Sequence, residues 1–174
     1  MAEDALMPTV EAISRRSGVS ARSIYRYFAD PESLISASIE RSLAVGRERA
    51  RIPSFGEGTF DERVATFAAL RVQLFESVAA GFRAARHHSA NVPQIRDGLD
   101  LTRRFLRGQV DGQFARELEA MEPADRAIAL DACDVVSQFD SLDYLRRERG
   151  ATVAECESVI ARTIVRVIGG RHCG

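Results

Sequence analysis

The chain has 174 residues, a formal net charge of −1 and a hydrophobic share of 45%. That is enough apolar material for one compact unit, or for a small domain fused to a moderate one, and no run approaches the roughly 20 apolar residues of a bilayer span. The acidic start MAEDALMP does not read as a signal peptide, and three cysteines (Cys133, Cys156, Cys173) without a C-x-x-C pair argue against a disulfide framework or a zinc site. A cytoplasmic protein is expected, with small core cysteines at 133 and 156.

In chain order, the periodicity is three to four throughout, so the fold class is all-α. Thr9 suits an N-cap, and Val10, Ala12 and Ile13 begin a short helix that ends near Gly18. Ser20 caps a second short helix reaching Tyr27 or Phe28. Asp30, Pro31 and Glu32 open a third, with the cap, the first-turn proline and the acid each in a favoured position. It runs to about Arg51.

The Pro-, Gly- and Ser-rich segment 52–59 reads as a linker, and the domain boundary is placed there, between 1–51 and 52–174. Helices follow over about 60–87, 93–110, 114–121 and 124–149, the last stopped by Gly150. Thr152 caps a final helix to about Ile168. Its apolar residues cover more than one face, as in a terminal helix that buries one side in its own core and another in a partner.

The most informative stretch is 9–28. Two short helices flank a tight turn at Gly18, Val19 and Ser20, which is the grammar of a helix-turn-helix. Ile13, Val19, Ile24 and Phe28 would share its mini-core. Although the net charge is near zero, Arg15, Arg16, Arg22 and Arg26 face a single acid, Glu11, in this stretch. Such a local excess suits a phosphate backbone, and equally suits a solvated helix face.

In a helix-turn-helix the start of the second helix reaches base edges and its flanks hold phosphates. Arg22 stands on the first turn, with a fork that matches guanine O6 and N7. Ser23 and Arg26 suit bases or phosphates. The Tyr25 and Tyr27 hydroxyls suit phosphate oxygens, and Thr9 and Ser20 offer hydroxyls beside helix N-terminal amides.

Gly18-Val19-Ser20, then Ile24-Tyr25-x-Tyr27-Phe28, then Glu32-x-Leu34 resembles the DNA-binding signature of the TetR/AcrR family of transcription regulators. The run FDSLDYLRRERG over 139–150, followed by a capped apolar helix, is more loosely similar to the last two helices of that family. The resemblance implies a helical ligand-binding and dimerisation region, a homodimer through the two C-terminal helices, double-stranded DNA as partner, and repression relieved by a small effector.

Two departures stand out. Only eight residues precede Thr9, where family members place a further helix, so Ile13, Val19 and Ile24 are expected to be partly exposed. Either the start codon is misassigned, or the chain is a truncated member, whose expected role is a helical dimeric ligand-binding protein that has lost DNA binding. Pro31 also replaces a lysine that often precedes the Glu32 position, removing one phosphate contact.

The remaining candidates are weaker. His87 and His88 are adjacent and diverge on a helix, which favours a structural or solvated role over a shared metal site. Aromatics at helical spacing are core residues first, and Phe75, Phe82, Phe105 and Phe139 are the candidates for a ligand pocket. Arg146, Arg147 and Arg149 suit a helix C-terminus. No phosphate loop, metal-ligand cluster or nucleophile–base spacing is present, so neither an enzyme nor a cofactor is expected.

Overall fold

A computed structural model describes residues 10–28 and 30–169. Among them there is no strand. The helices are α1 (Val10–Ser17), α2 (Ala21–Tyr27), α3 (Pro31–Arg49), α4 (Phe60–His88), α5 (Pro93–Gln113), α6 (Ala115–Glu119), α7 (Pro123–Ser137), α8 (Phe139–Asp143) and α9 (Val153–Ile168). A π turn over Tyr144–Glu148 follows α8.

Local chemistry sets most of the boundaries. Gly18 takes φ +72°, a conformation open to glycine, and its N–H donates to the Ser14 carbonyl at 3.0 Å, closing α1. Asp30 accepts from the Ser33 N–H at 2.7 Å and starts α3. Thr59 with Glu62, and Thr152 with Glu155, form capping boxes at α4 and α9.

One core runs through the bundle. α3 supplies Ile39, Leu43 and Ala50, α4 supplies Phe67, Val72 and Phe75, and α5 supplies Ile95, Leu99 and Leu106. The α9 stripe Cys156, Ile160, Ile164 and Ile168, spaced by four, packs on α4 and α7. Cys133 and Cys156 are buried free thiols, and burial pushes Cys133 up to about 12, which makes it unreactive. Cys173 lies outside the described residues.

The 52–59 segment is held down. The Gly56 N–H donates to Gln113 Oε1 at 2.9 Å, and the Phe55 ring lies over Gly112. Beneath it, Arg63 is buried between the rings of Phe60 and Phe114 and pairs with Glu117 on α6.

The expected helix over 124–149 is corrected, because α7 stops at Ser137 and Gln138 is extended (φ −72°, ψ 153°). The buried face of α7 is Ala129, Cys133 and Ser137. Continued in phase, it would turn the polar Asp140, Ser141 and Tyr144 inward. The break resets the phase so that Phe139 and Leu142 enter the core instead. At the break Ser141 donates to the Val135 carbonyl, and beside it the side chains of Gln138 and Asp134 join, Nε2 donating to Oδ1 at 2.6 Å.

Gly108 lies exposed inside α5, and a Cβ there meets nothing within 4 Å. Gly108→Ala is therefore expected to stabilise the fold by up to about 1 kcal/mol, the usual difference in helix propensity. Urea denaturation checks this, and a loss of stability would mean that α5 is bent or covered at that point.

Candidate nucleic-acid interface and regulatory cavity

α1 and α2 pack against each other around Val10 and Ile24, both buried. The expectation that Ile24 is partly exposed is thus corrected, since α2 turns this residue onto the inner face. Val19 is exposed as expected, at 47%, and so lies outside the mini-core assigned to it, while Phe28 is half-buried. Thr9 and the side chain of Ile13 lie outside the described residues.

The opposite face of α2 points to solvent. Arg22, Tyr25 and Arg26, at i, i+3 and i+4, share one side and are exposed, and Tyr27 is more open than Tyr25, at 72% against 49%. Arg26 Nη2 donates to the Tyr27 hydroxyl at 2.9 Å, and its guanidinium stacks 4.8 Å from that ring. The hydroxyl proton of Tyr27 remains available for a phosphate oxygen. Ser20 is occupied locally: its Oγ accepts from the Ser23 N–H at 3.1 Å and donates to Ser23 Oγ at 3.0 Å. These two serines build the helix start, leaving arginine and tyrosine as the outward chemistry.

A cavity of about 260 Å³ lies between α3, α4 and α5, with Phe139 of α8 as one wall. Phe82 and Phe139 line it and meet edge to face at 5.2 Å. The other two pocket candidates do not line it. Phe75 is buried behind Phe139 as core, with ring centroids 5.9 Å apart. Phe105 stands 36% exposed beside Leu101, because its neighbour Leu106 takes the inward position.

Three polar residues on the inner face of α5 escaped the sequence reading. Thr102 accepts from Arg47 Nη1 at 3.2 Å, Gln109 Nε2 donates to the Ala50 carbonyl, and Gln113 holds Gly56. Together they clamp the last turn of α3 and the stretch that joins it to α4. Arg71, also buried, donates to Gln109 Oε1 at 3.2 Å and lies over the Phe67 ring at 4.7 Å. Burial pushes its guanidinium down to about 10, against an opposing pull from the charge of Asp134. The signal available in the sequence was polar side chains at 102, 109 and 113, in phase with Ile95, Leu99 and Leu106.

Arg146 does more than face a helix end. It pairs with Glu76 of α4 at 2.7 Å and donates to the Ala151 carbonyl, fixing the turn into α9. His87 and His88 touch edge to face at 5.0 Å. Among the described residues, no group of three or more His, Cys, Asp or Glu could hold a metal ion, and no helix is long and apolar enough to cross a membrane.

An N-terminal helix-turn-helix with an arginine- and tyrosine-bearing second helix, leading into a helical bundle with a cavity, defines a helix-turn-helix regulator. Residues 8–37 match the family model of the bacterial regulatory proteins of the tetR family, which marks this segment as the DNA-binding part of a transcriptional regulator. No curated protein matches the chain at a significant level.

Proposed function

We propose that this regulator is a cytoplasmic repressor that binds a palindromic operator as a homodimer and leaves it when a small ligand fills the cavity. The observation that carries the reading is the outward face of α2, where Arg22, Tyr25 and Arg26 stand exposed on one side of a helix anchored by Ile24. Residues 1–51 are assigned to DNA and 52–174 to ligand and dimer, with α3 packed into the larger region as the link.

The second copy is assigned to the face of α7 and α9. Ile128 and Val135, two turns apart on α7, are 68% and 63% exposed, and with Val159 they line an apolar groove. Large apolar side chains this open on one face suit a self-complementary contact. A ligand between α3, α4 and α5 bears on α3 directly. The extent of release is bounded by the ligand's differential affinity for the two states of the dimer.

The test is selection of genomic DNA fragments by the purified chain, then fluorescence anisotropy on the best fragment across a salt series. Log K is expected to fall with log salt by about 0.9 per phosphate contacted. Arg22→Ala is expected to cost about 1–3 kcal/mol at one base pair of each half-site and to relax specificity there. Tyr25→Phe is expected to weaken all sequences alike. No enrichment by a folded helical dimer would leave a ligand-binding dimer that does not read DNA.

A further inference from the structure

The cavity beside α3 has a one-sided charge. Its described lining is apolar, through residues such as Leu43, Leu74, Val78 and Phe139, apart from a few polar groups. All its charged residues are arginines of α3: Arg41 and Arg49, both exposed, and Arg47, which is half-buried. No acid lines it. Among the described residues none of the three lies within ion-pair distance of a carboxylate. Arg47 makes one hydrogen bond, to Thr102, out of the five N–H donors a guanidinium carries.

A second positive charge lies behind the wall. Arg49, Ala50 and Leu74 line both the cavity and a small adjoining void that contains Arg71. Arg71 is 3% exposed and its Nη1 has no hydrogen-bond partner. Low-dielectric walls carrying one sign of charge focus the field into the space they enclose. A cation is repelled there, and a neutral apolar ligand leaves the half-buried Arg47 without its best partner.

We infer that the effector of this protein is an amphipathic carboxylate, its apolar body against Phe82 and Phe139 and its head group paired with Arg47. The inference rests on the ligand-responsive reading above and names the class of ligand. A planar carboxylate accepts two parallel N–H bonds from one guanidinium. A volume of about 260 Å³ lies just below the roughly 300–1,000 Å³ of drug-sized pockets, which points to a medium rather than a long chain. The guanidinium has N–H groups to spare beyond the Thr102 bond, and a ligand held there bears directly on α3.

Calorimetric titration of the full chain with octanoate and with octanamide, a neutral probe of the same length, tests the inference. Octanoate is expected to bind at least about tenfold more tightly, as a charge-assisted hydrogen bond implies. Arg47→Gln is expected to erase that preference and leave octanamide binding unchanged. Equal binding of the two probes, no binding of either, or a preference that survives Arg47→Gln overturns the inference. The contrast between probes in the unaltered chain decides the matter even if the variant does not fold.

Operator anisotropy with each probe separates the two readings. A neutral probe that binds and releases DNA keeps the ligand-responsive reading and sinks the carboxylate. Octanoate bound through Arg47 with operator affinity unmoved keeps the carboxylate site and sinks the regulatory reading.

Discussion

Glu117→Gln is expected to destabilise the protein by about 3–5 kcal/mol, the usual cost of breaking a buried ion pair by removing one partner. Arg63 is 3% exposed, and both of its terminal nitrogens are engaged. Its Nη1 donates to Glu117 Oε2 at 3.0 Å and to the Gln113 carbonyl, and its Nη2 donates to Glu117 Oε1. The rings of Phe60 and Phe114 lie 5.9 and 5.8 Å from the guanidinium carbon. A glutamine amide would set its own N–H groups against those of the guanidinium. Arginine cannot escape by losing its proton, so the charge would remain buried and unpaired.

The same pair predicts an acid dependence. Burial raises the pKa of Glu117, but hydrogen bonds from Arg63 and from its own backbone, with the charges of Arg63 and Arg116, outweigh that and hold it below the ordinary 4.5. The unfolded chain therefore binds the proton first on acidification. The contribution is complete above the unfolded value and is lost as pH falls through the folded one. Denaturant midpoints from pH 7 to pH 3 should show the unaltered chain losing this advantage in acid, and the variant lacking that part of the slope. A variant within about 1 kcal/mol of the original at pH 7, less than a typical buried hydrogen bond to a charged group, would mean that the pair is hydrated rather than sealed.

If the proposed two-fold contact through α7 and α9 holds, Val135→Arg is expected to abolish the dimer and to weaken operator binding by about a hundredfold or more, because each substitution enters twice and buries unpaired charge. Val135 is 63% exposed within one chain, so the helical fold should survive, and circular dichroism can show that. Sedimentation velocity reads the oligomer and anisotropy reads the operator. A variant that still dimerises with undiminished affinity places the contact elsewhere. Loss of the dimer with full operator affinity would mean that two-fold symmetry is not needed for binding.

Much of this arrangement was legible because its causes are local. The Gly18 turn, the Ser20 and Asp30 caps, and Thr152 before α9 act over three or four residues, and the sequence displays them directly. The break at Gln138 was not legible. Neither proline nor glycine marks it, and it is stabilised by Phe139 reaching Phe75 and Phe82, far away in the chain. The pairing of Arg63 with Glu117 is equally remote, because helix periodicity says which way a side chain faces and not what it meets. Phe105 is different: with Leu106 in the inward stripe, a neighbour about 100° round the helix had to face out, and that much was written in the sequence. In the site, the outward face of α2 was legible from spacing alone. The arginine lining of the cavity was not, since it depends on how α3 docks.

The last turn of α9 brings Gly169 so close to Phe60 that a Cβ on the glycine would lie 2.8 Å from the ring. The start of α4 and the end of α9 thus meet, and this part of the core closes only when the final helix arrives. At a synthesis rate of about 5–20 residues per second, the first turn of α4 waits about 5–20 s for its partner. During that interval the helix-turn-helix segment is already synthesised, while α4, and later α7, lack the cover of α9. A nascent chain in this state offers chaperones a target whose lifetime is set by the ribosome, and slower translation of the final helix would lengthen it.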